Sequence, residues 1–126
     1  MKQARLYLED GILVNRVAVA RSFIERTRGL LGKRGLETNR ALFIPRCACV
    51  HTFFMKFPLD LVFVDRAMRV VKVVRRVPAG RIACGGRGTY GVIEMEAGRL
   101  KDELPAEGAG LKLVIEDDGA RSDAEL

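Results

Sequence analysis

Short apolar and β-branched runs alternate with turn residues along most of this chain. Residues 5–8 and 12–19 flank Asp10-Gly11, a dipeptide that favours a tight β-hairpin. The other runs with strand character are residues 41–44, 47–55, 59–64, 70–74, 90–95 and 111–116. Many short strands separated by regular turns predict a mainly β fold, either a small β sandwich or a partly closed barrel.

One segment has helical periodicity instead. Phe23, Leu30 and Leu31 recur at spacings that place them on one face of a helix. Ser22 stands where an N-cap belongs, and Glu25 follows it at the capping-box spacing. The sequence therefore predicts one short helix in the N-terminal half of the chain.

The composition fits one domain. Of the 126 residues, 48% are hydrophobic, which is enough for a packed core without disulfide staples. Residues 1–116 are expected to form a single β-rich domain, and residues 117–126 an acidic, flexible tail. No apolar run approaches the roughly 20 residues of a membrane helix, and the N-terminus lacks the apolar core of a secretory signal. Because three cysteines also fit a reducing compartment better than a disulfide framework, we predict a cytoplasmic protein without membrane insertion.

Positive charge is concentrated before residue 94. Residues 1–93 carry eighteen basic and six acidic side chains, whereas residues 94–126 carry four basic and ten acidic ones. The net positive charge of residues 1–93 attracts anions. It also keeps a protein soluble, and by itself it identifies no partner. A small anionic or polar ligand is the expected partner, nucleic acid ranks behind it, and the oligomeric state is left open.

Residues 47–60 concentrate the side chains that could carry chemistry: the single histidine, two of three cysteines and three of six phenylalanines. On one continuous strand, Cys47, Cys49 and His51 would share one face, and Phe53 would extend it. With Cys84 this set resembles a zinc site in residue type, but a Cys-x-Cys strand does not wrap an ion as the usual turn does. Burial of the cysteines is the stronger interpretation, so no metal and no cofactor is predicted. A cysteine–histidine nucleophile lacks a recognisable oxyanion hole.

Asp60 and Glu94 are carboxylates placed inside apolar runs. A buried carboxylate is costly unless it is paired, although each could also face solvent at the strand period. The candidate partners are His51, Arg87 and Arg81, and His51 with Asp60 or Arg87 with Glu94 could bind a small polar ligand or hold the fold in register. The glycine-rich residues 84–90 lack a phosphate-loop pattern, but their backbone beside Arg87 could meet an anion. The predicted ligand-binding residues are His51, Asp60, Arg87, Glu94, Phe53 and Met55, with Phe57 completing an apolar wall.

Three segments carry a longer pattern: ERTRGLLG at residues 25–32, HTFFMKFPLDLVFVD at 51–65 and VIEMEAG at 92–98. Together they resemble an uncharacterised bacterial and archaeal family called domain of unknown function 192, over about residues 17–116. The resemblance implies a compact, mainly β domain with one helix near its start, and no established activity. In this chain Cys49 stands where the pattern has serine, and Ala109 follows Gly108 where relatives have aspartate. The motif positions that the resemblance indicates are Arg26, Gly29, Cys47, His51, Met55, Asp60, Cys84 and Glu94.

These residues support four functional hypotheses. The first is a non-catalytic ligand-binding or accessory β domain whose pocket holds His51, Asp60 and Glu94. The second is an enzyme, of a hydrolytic kind, in which His51 is the acid or base and a carboxylate orients it. The third is nucleic-acid binding through the basic surface, although the aromatic–basic interleaving of single-strand binders is absent from the sequence. The fourth is purely architectural, with the motif required by the fold.

Overall fold

The computed structural model describes residues 2–9, 11–20 and 40–116. These residues form nine strands and one short 3-10 helix, and no α-helix lies among them. The strands are β1 (Lys2–Leu8), β2 (Gly11–Val19), β3 (Arg40–Pro45), β4 (Cys49–His51), β5 (Leu59–Val64), β6 (Val70–Val77), β7 (Ile82–Cys84), β8 (Gly91–Glu96) and β9 (Leu111–Glu116), and the 3-10 helix is Lys101–Glu103. The prediction of a mainly β fold is confirmed.

Two predictions lie outside the described residues. The helix predicted from Ser22 to Leu31 falls between residues 21 and 39, and the acidic tail begins at residue 117. Both therefore stay predictions. In the part of the chain that the structure describes, no helix is long and apolar enough to cross a membrane.

Seven strands form one sheet in the order β6-β5-β8-β3-β2-β1-β9. Strands β2 and β3 pair in parallel, and the other neighbouring pairs are antiparallel. The two edge strands meet at one end, where the Val70 amide donates to the Ala109 carbonyl at 2.8 Å and the Leu111 amide donates to the Met68 carbonyl at 2.9 Å. Because the edges join only there, the sheet curls without becoming a closed barrel.

The two faces of this sheet carry two separate apolar clusters. Successive side chains of β5 project to opposite faces of the sheet and so contribute to both clusters. Val62 and Val64 belong to the first core, and Leu61 and Phe63 belong to the second. All six residues of β5 are buried, which explains why residues 59–64 are almost continuously apolar. The first core also contains Leu6, Val17, Phe43, Ile93 and Met95, and the second also contains Leu42, Ile44, Val50, Leu59 and Val92.

Strands β4 and β7 form a separate two-stranded antiparallel sheet, called here the small sheet. Val50 lies opposite Ala83, and these two side chains pack on the second core. Sequence reasoning predicted one strand over residues 47–55, but the strand ends at His51 and a turn follows. Phe54 in this turn has a φ of 69°, a left-handed conformation that ends an extended strand. Strand β7 was not predicted, because three residues beside a glycine-rich segment carry too little periodicity.

Candidate functional site

Asp60 is a buried carboxylate with two backbone partners. It is 3% exposed and lies at the second position of β5. Its Oδ1 accepts a hydrogen bond from the Arg76 amide at 2.8 Å, and its Oδ2 accepts one from the Gly98 amide at 3.0 Å. Arg76 lies where β6 shifts register against β5, and its φ of 52° is left-handed. Asp60 therefore connects the register shift of β6 to the turn after β8 through two hydrogen bonds. This role is structural.

Glu94 does not share a pocket with Asp60. Strands β5 and β8 are antiparallel, with Asp60 opposite Met95 and Leu61 opposite Glu94. Opposite residues project to the same face of a sheet, and successive residues of one strand project to different faces. The carboxylates of Asp60 and Glu94 consequently point to opposite faces. Glu94 is buried beside Leu42, its neighbour on β3.

His51 lies on the exposed face of the small sheet. Its ring stacks on Phe53 with centroids 5.2 Å apart, and its Nδ1 accepts a hydrogen bond from the Phe53 amide at 3.3 Å. Ile82, directly opposite on β7, is 69% exposed, and Phe54 is 84% exposed. Two apolar side chains thus lie beside the single histidine at the surface: Phe53, stacked on its ring, and Ile82, opposite it. The predicted pairing of His51 with Asp60 does not form, because both oxygens of Asp60 bind backbone amides elsewhere.

The remaining predicted residues are dispersed. Met55 and Phe57 pack against the second core, so they cover the core and do not form a wall with Phe53. Arg87 lies in an exposed turn between β7 and β8. The structure therefore brings His51 and Phe53 together, but separates them from Asp60, and their participation in ligand binding stays a prediction.

Two of the three cysteines are paired, although their odd number fits a reducing compartment better than a disulfide framework. Cys49 and Cys84 lie opposite each other in the small sheet and form a disulfide. Cys47 is buried, and its thiol donates to the Cys49 carbonyl at 3.1 Å. The odd cysteine count could not reveal this pairing, because β7 places Cys84 against Cys49 across 35 residues of sequence. Among the described residues, no group of three or more histidine, cysteine and acidic side chains could hold a metal ion.

Thr52 is an important residue that sequence reasoning missed. It is 0% exposed, and its hydroxyl donates to the Pro78 carbonyl at 2.6 Å while accepting from the Arg81 amide at 2.9 Å. Its own amide donates to the Arg81 carbonyl, and its carbonyl accepts from the Gly80 amide at 3.0 Å. Thr52 therefore fixes the turn between β6 and β7 against the turn after β4. A lone threonine between His51 and Phe53 gives no signal of such a network.

A second feature that sequence reasoning missed is an open cleft of about 770 Å³. It lies between the connections that join β3 to β4, β5 to β6 and β7 to β8. The backbone of Tyr90 joins these connections, since its carbonyl accepts from the Cys47 amide at 2.8 Å and its amide donates to the Val64 carbonyl at 2.8 Å. We call this feature the arginine cleft. Its lining residues are Arg46, Cys47, Ala48, Asp65, Arg66, Ala67, Gly88, Thr89 and Tyr90.

Charge in the arginine cleft is predominantly positive. The guanidinium carbon of Arg66 lies 4.9 Å from the centroid of the Tyr90 ring, a cation–π arrangement. Arg46 has a φ of 56°, in the left-handed region that non-glycine residues occupy rarely. Asp65 is the only acidic residue among the lining residues that the structure describes, and its Oδ1 accepts hydrogen bonds from the Ala67 and Arg69 amides, both at 2.9 Å. No spacing in the sequence could show that Arg46 and Arg66 converge, because they lie in separate loops.

The described fold matches known proteins. The model of family DUF192, described as "Uncharacterized ACR", matches residues 7–113. The chain belongs to this family. The resemblance noted in the sequence is thereby confirmed, and DUF192 carries no established activity.

Two crystal structures are similar to this DUF192 chain. One is "a putative transcription regulator" from Sinorhizobium meliloti 1021, with a TM-score of 0.72, 20% identity, and coverage of 89% of this chain and 92% of that one. The other is a protein of unknown function from Novosphingobium aromaticivorans DSM 12444, with a TM-score of 0.70, 21% identity, and coverage of 87% and 83%. A search of curated proteins finds no match. At these identities the likeness concerns the fold alone, and nothing in it shows catalysis.

Proposed function

We propose that this DUF192 protein is a non-catalytic module that binds a small anionic ligand in the arginine cleft. The observation that carries the proposal is the convergence of Arg46 and Arg66, from different loops, on one cleft beside the Tyr90 ring. A volume of about 770 Å³ lies within the range of small-ligand sites, about 300–1,000 Å³. The cleft replaces the pocket expected around His51 and Asp60 as the best candidate.

The chemistry of the lining residues favours a carboxylate or phosphate group. A guanidinium group offers paired N–H donors that match the oxygens of either anion. The Tyr90 ring supplies an apolar face against which the rest of a ligand can pack. Asp65 opposes an anion in principle, but two amides already share its Oδ1, and the two arginines exceed its charge. The expected ligand therefore carries an anionic group at one end and an apolar or aromatic body.

The test is a titration of the full chain with inorganic phosphate, benzoate and adenosine monophosphate, followed by amide NMR shifts. We expect the largest shifts at Gly88, Thr89 and Tyr90. Arg46→Gln and Arg66→Gln should each weaken binding about tenfold, the equivalent of one charge-assisted hydrogen bond. Arg75→Gln, an exposed arginine outside the cleft, is the matched control and should bind as the wild type does. Equal weakening in all three variants, or no binding of any probe, would contradict the proposal.

Nucleic-acid binding is the second candidate, and one observation favours it. Residues 66–93 contain seven basic and no acidic side chains, and the exposed Phe53 and Phe54 follow β4, the strand that pairs with β7 of this segment. Exposed aromatic rings within a basic surface suit stacking with single-stranded bases. The similar structure described as "a putative transcription regulator" agrees with this candidate by analogy only.

A gel shift with single-stranded DNA at low and high salt tests this second candidate. Binding should weaken steeply with salt, and Phe54→Ala should weaken it further, because it removes a stacking ring while leaving every charge. If Phe54→Ala binds as the wild type does, stacking is not involved. Retention of the small-anion shifts in Phe54→Ala would separate the two candidate sites.

A further inference from the structure

The disulfide between Cys49 and Cys84 lies in an unusual setting for a structural cross-link. Both cysteines are exposed, and the strands that they join are only three residues long. The small sheet pairs with no further strand in the described part of the chain. Solvent-exposed disulfides are more readily reduced than buried ones and are often the regulatory or catalytic ones.

A lysine lies beside Cys84 of the disulfide. The Lys72 ammonium group donates a hydrogen bond to the Cys84 carbonyl at 3.0 Å. No acidic residue occurs between residues 66 and 93, the segment that contains Cys84 and Lys72. A nearby cation stabilises a thiolate, so Cys84 is the better leaving group of the two cysteines.

We propose that Cys49 and Cys84 form an exchange-active redox pair that a small anionic thiol reduces reversibly. The basic surroundings favour an anionic thiol such as glutathione over a neutral one. His51 and Ile82, the next opposed pair on the same face, lie beside the disulfide, and all four residues are exposed. This inference uses the small sheet and is independent of the arginine cleft.

The exchange proceeds in two balanced steps. The thiolate of the small thiol attacks Cys49 Sγ, the Cys49–Cys84 bond breaks, and its electron pair leaves on Cys84 as a thiolate near Lys72. A second small thiolate then attacks the external sulfur of this mixed disulfide and releases Cys49 as a thiolate. Two small thiols become one small disulfide, the protein gains two electrons, and its two thiolates take up the two protons according to pH.

The test is a titration of the full chain against mixtures of reduced and oxidised glutathione, followed by thiol alkylation and peptide mass spectrometry. We expect Cys49 and Cys84 to become alkylated together in a single transition under native conditions. Cys84→Ser should accumulate a glutathione adduct on Cys49. Cys47→Ser is the control and should keep the transition, because Cys47 is buried outside the disulfide.

The role of Lys72 has its own measurement. Lys72→Gln should slow the reduction of the pair at neutral pH about threefold, because the departing Cys84 thiolate loses a nearby cation. Lys56→Gln, another exposed lysine, should leave the rate unchanged. Each of three results would overturn the proposal: independent alkylation of the two cysteines, reduction only in denaturant, or loss of the transition in Cys47→Ser.

Discussion

Strands β4 and β5 are neighbours in sequence, yet they occupy contrasting environments. Strand β5 is hydrogen-bonded to β6 on one side and to β8 on the other, and all six of its residues are buried. Strand β4 pairs with β7, and only its middle residue, Val50, is buried. The family segment at residues 51–65 therefore begins at the last residue of a surface strand and contains a whole strand of the framework.

This difference decides what the polar residues of each strand can do. Asp60 on β5 is surrounded by protein, and both its oxygens hold backbone amides. Cys49 and His51 on β4 project toward solvent, where a ligand or a thiol can reach them. A buried polar group is costly unless the protein supplies its hydrogen-bond partners, so the polar groups of β5 are already engaged. The polar groups of β4 are the ones that can meet a ligand or a reagent.

Two phenylalanines offer the largest test of this contrast. Phe63 is 0% exposed in β5, whereas Phe54 is 84% exposed after β4. Phe63→Ala should lower the free energy of unfolding by about 3–5 kcal/mol, because it leaves a cavity in the second core. Phe54→Ala should change it by less than about 0.5 kcal/mol. Urea unfolding measures both, and similar losses would show that the aromatic turn is part of the core.

Asp60 provides the next largest effect. Asp60→Ala should cost about 1–3 kcal/mol, because the Arg76 and Gly98 amides lose their acceptor. Asp60→Asn should lie between the alanine variant and the wild type, since it keeps one oxygen. Thermal and urea unfolding would detect these losses, with the exposed Asp102→Ala as a control near zero. A fully stable Asp60→Ala would return Asp60 to the list of ligand-binding candidates.

Thr52 and His51 give the smallest but sharpest comparison, because they are adjacent. Thr52→Ala should cost about 1–2 kcal/mol through the loss of two buried hydrogen bonds to the turn after β6. His51→Ala should change stability by less than about 0.5 kcal/mol, since the ring is exposed. Urea and thermal unfolding measure the stability losses of both variants. A large loss in His51→Ala would mean that the histidine stabilises the fold and is not held for binding.

Most strands could be predicted from the sequence because their periodicity is local. The β1–β2 hairpin, β3, β5, β8 and β9 follow directly from apolar and β-branched runs and from their turns. Strand β6 was predicted too short by three residues, at its irregular end near Arg76. Strand β7 was missed, and β4 was predicted too long, because their pairing depends on contacts between distant segments.

The candidate site was far less accessible to sequence reasoning. His51 and Asp60 were selected as residue types, and nothing in their spacing shows that one is exposed and the other bound to backbone amides. Gly85 illustrates the reason, since a Cβ there would come within 2.7 Å of Phe63 Cδ1. This glycine lets the chain after β7 approach β5 closely, a requirement set by packing between elements far apart in sequence.

The sequence by itself determined the family, the mainly β character and the positions of most strands, because hydrophobic alternation and turn chemistry act over a few residues. Only the tertiary structure decided which polar side chains form hydrogen bonds within the protein and which face solvent. It also placed Cys84 against Cys49 and Arg66 beside Arg46. Those outcomes depend on strand order and register, which arise from packing across the whole domain.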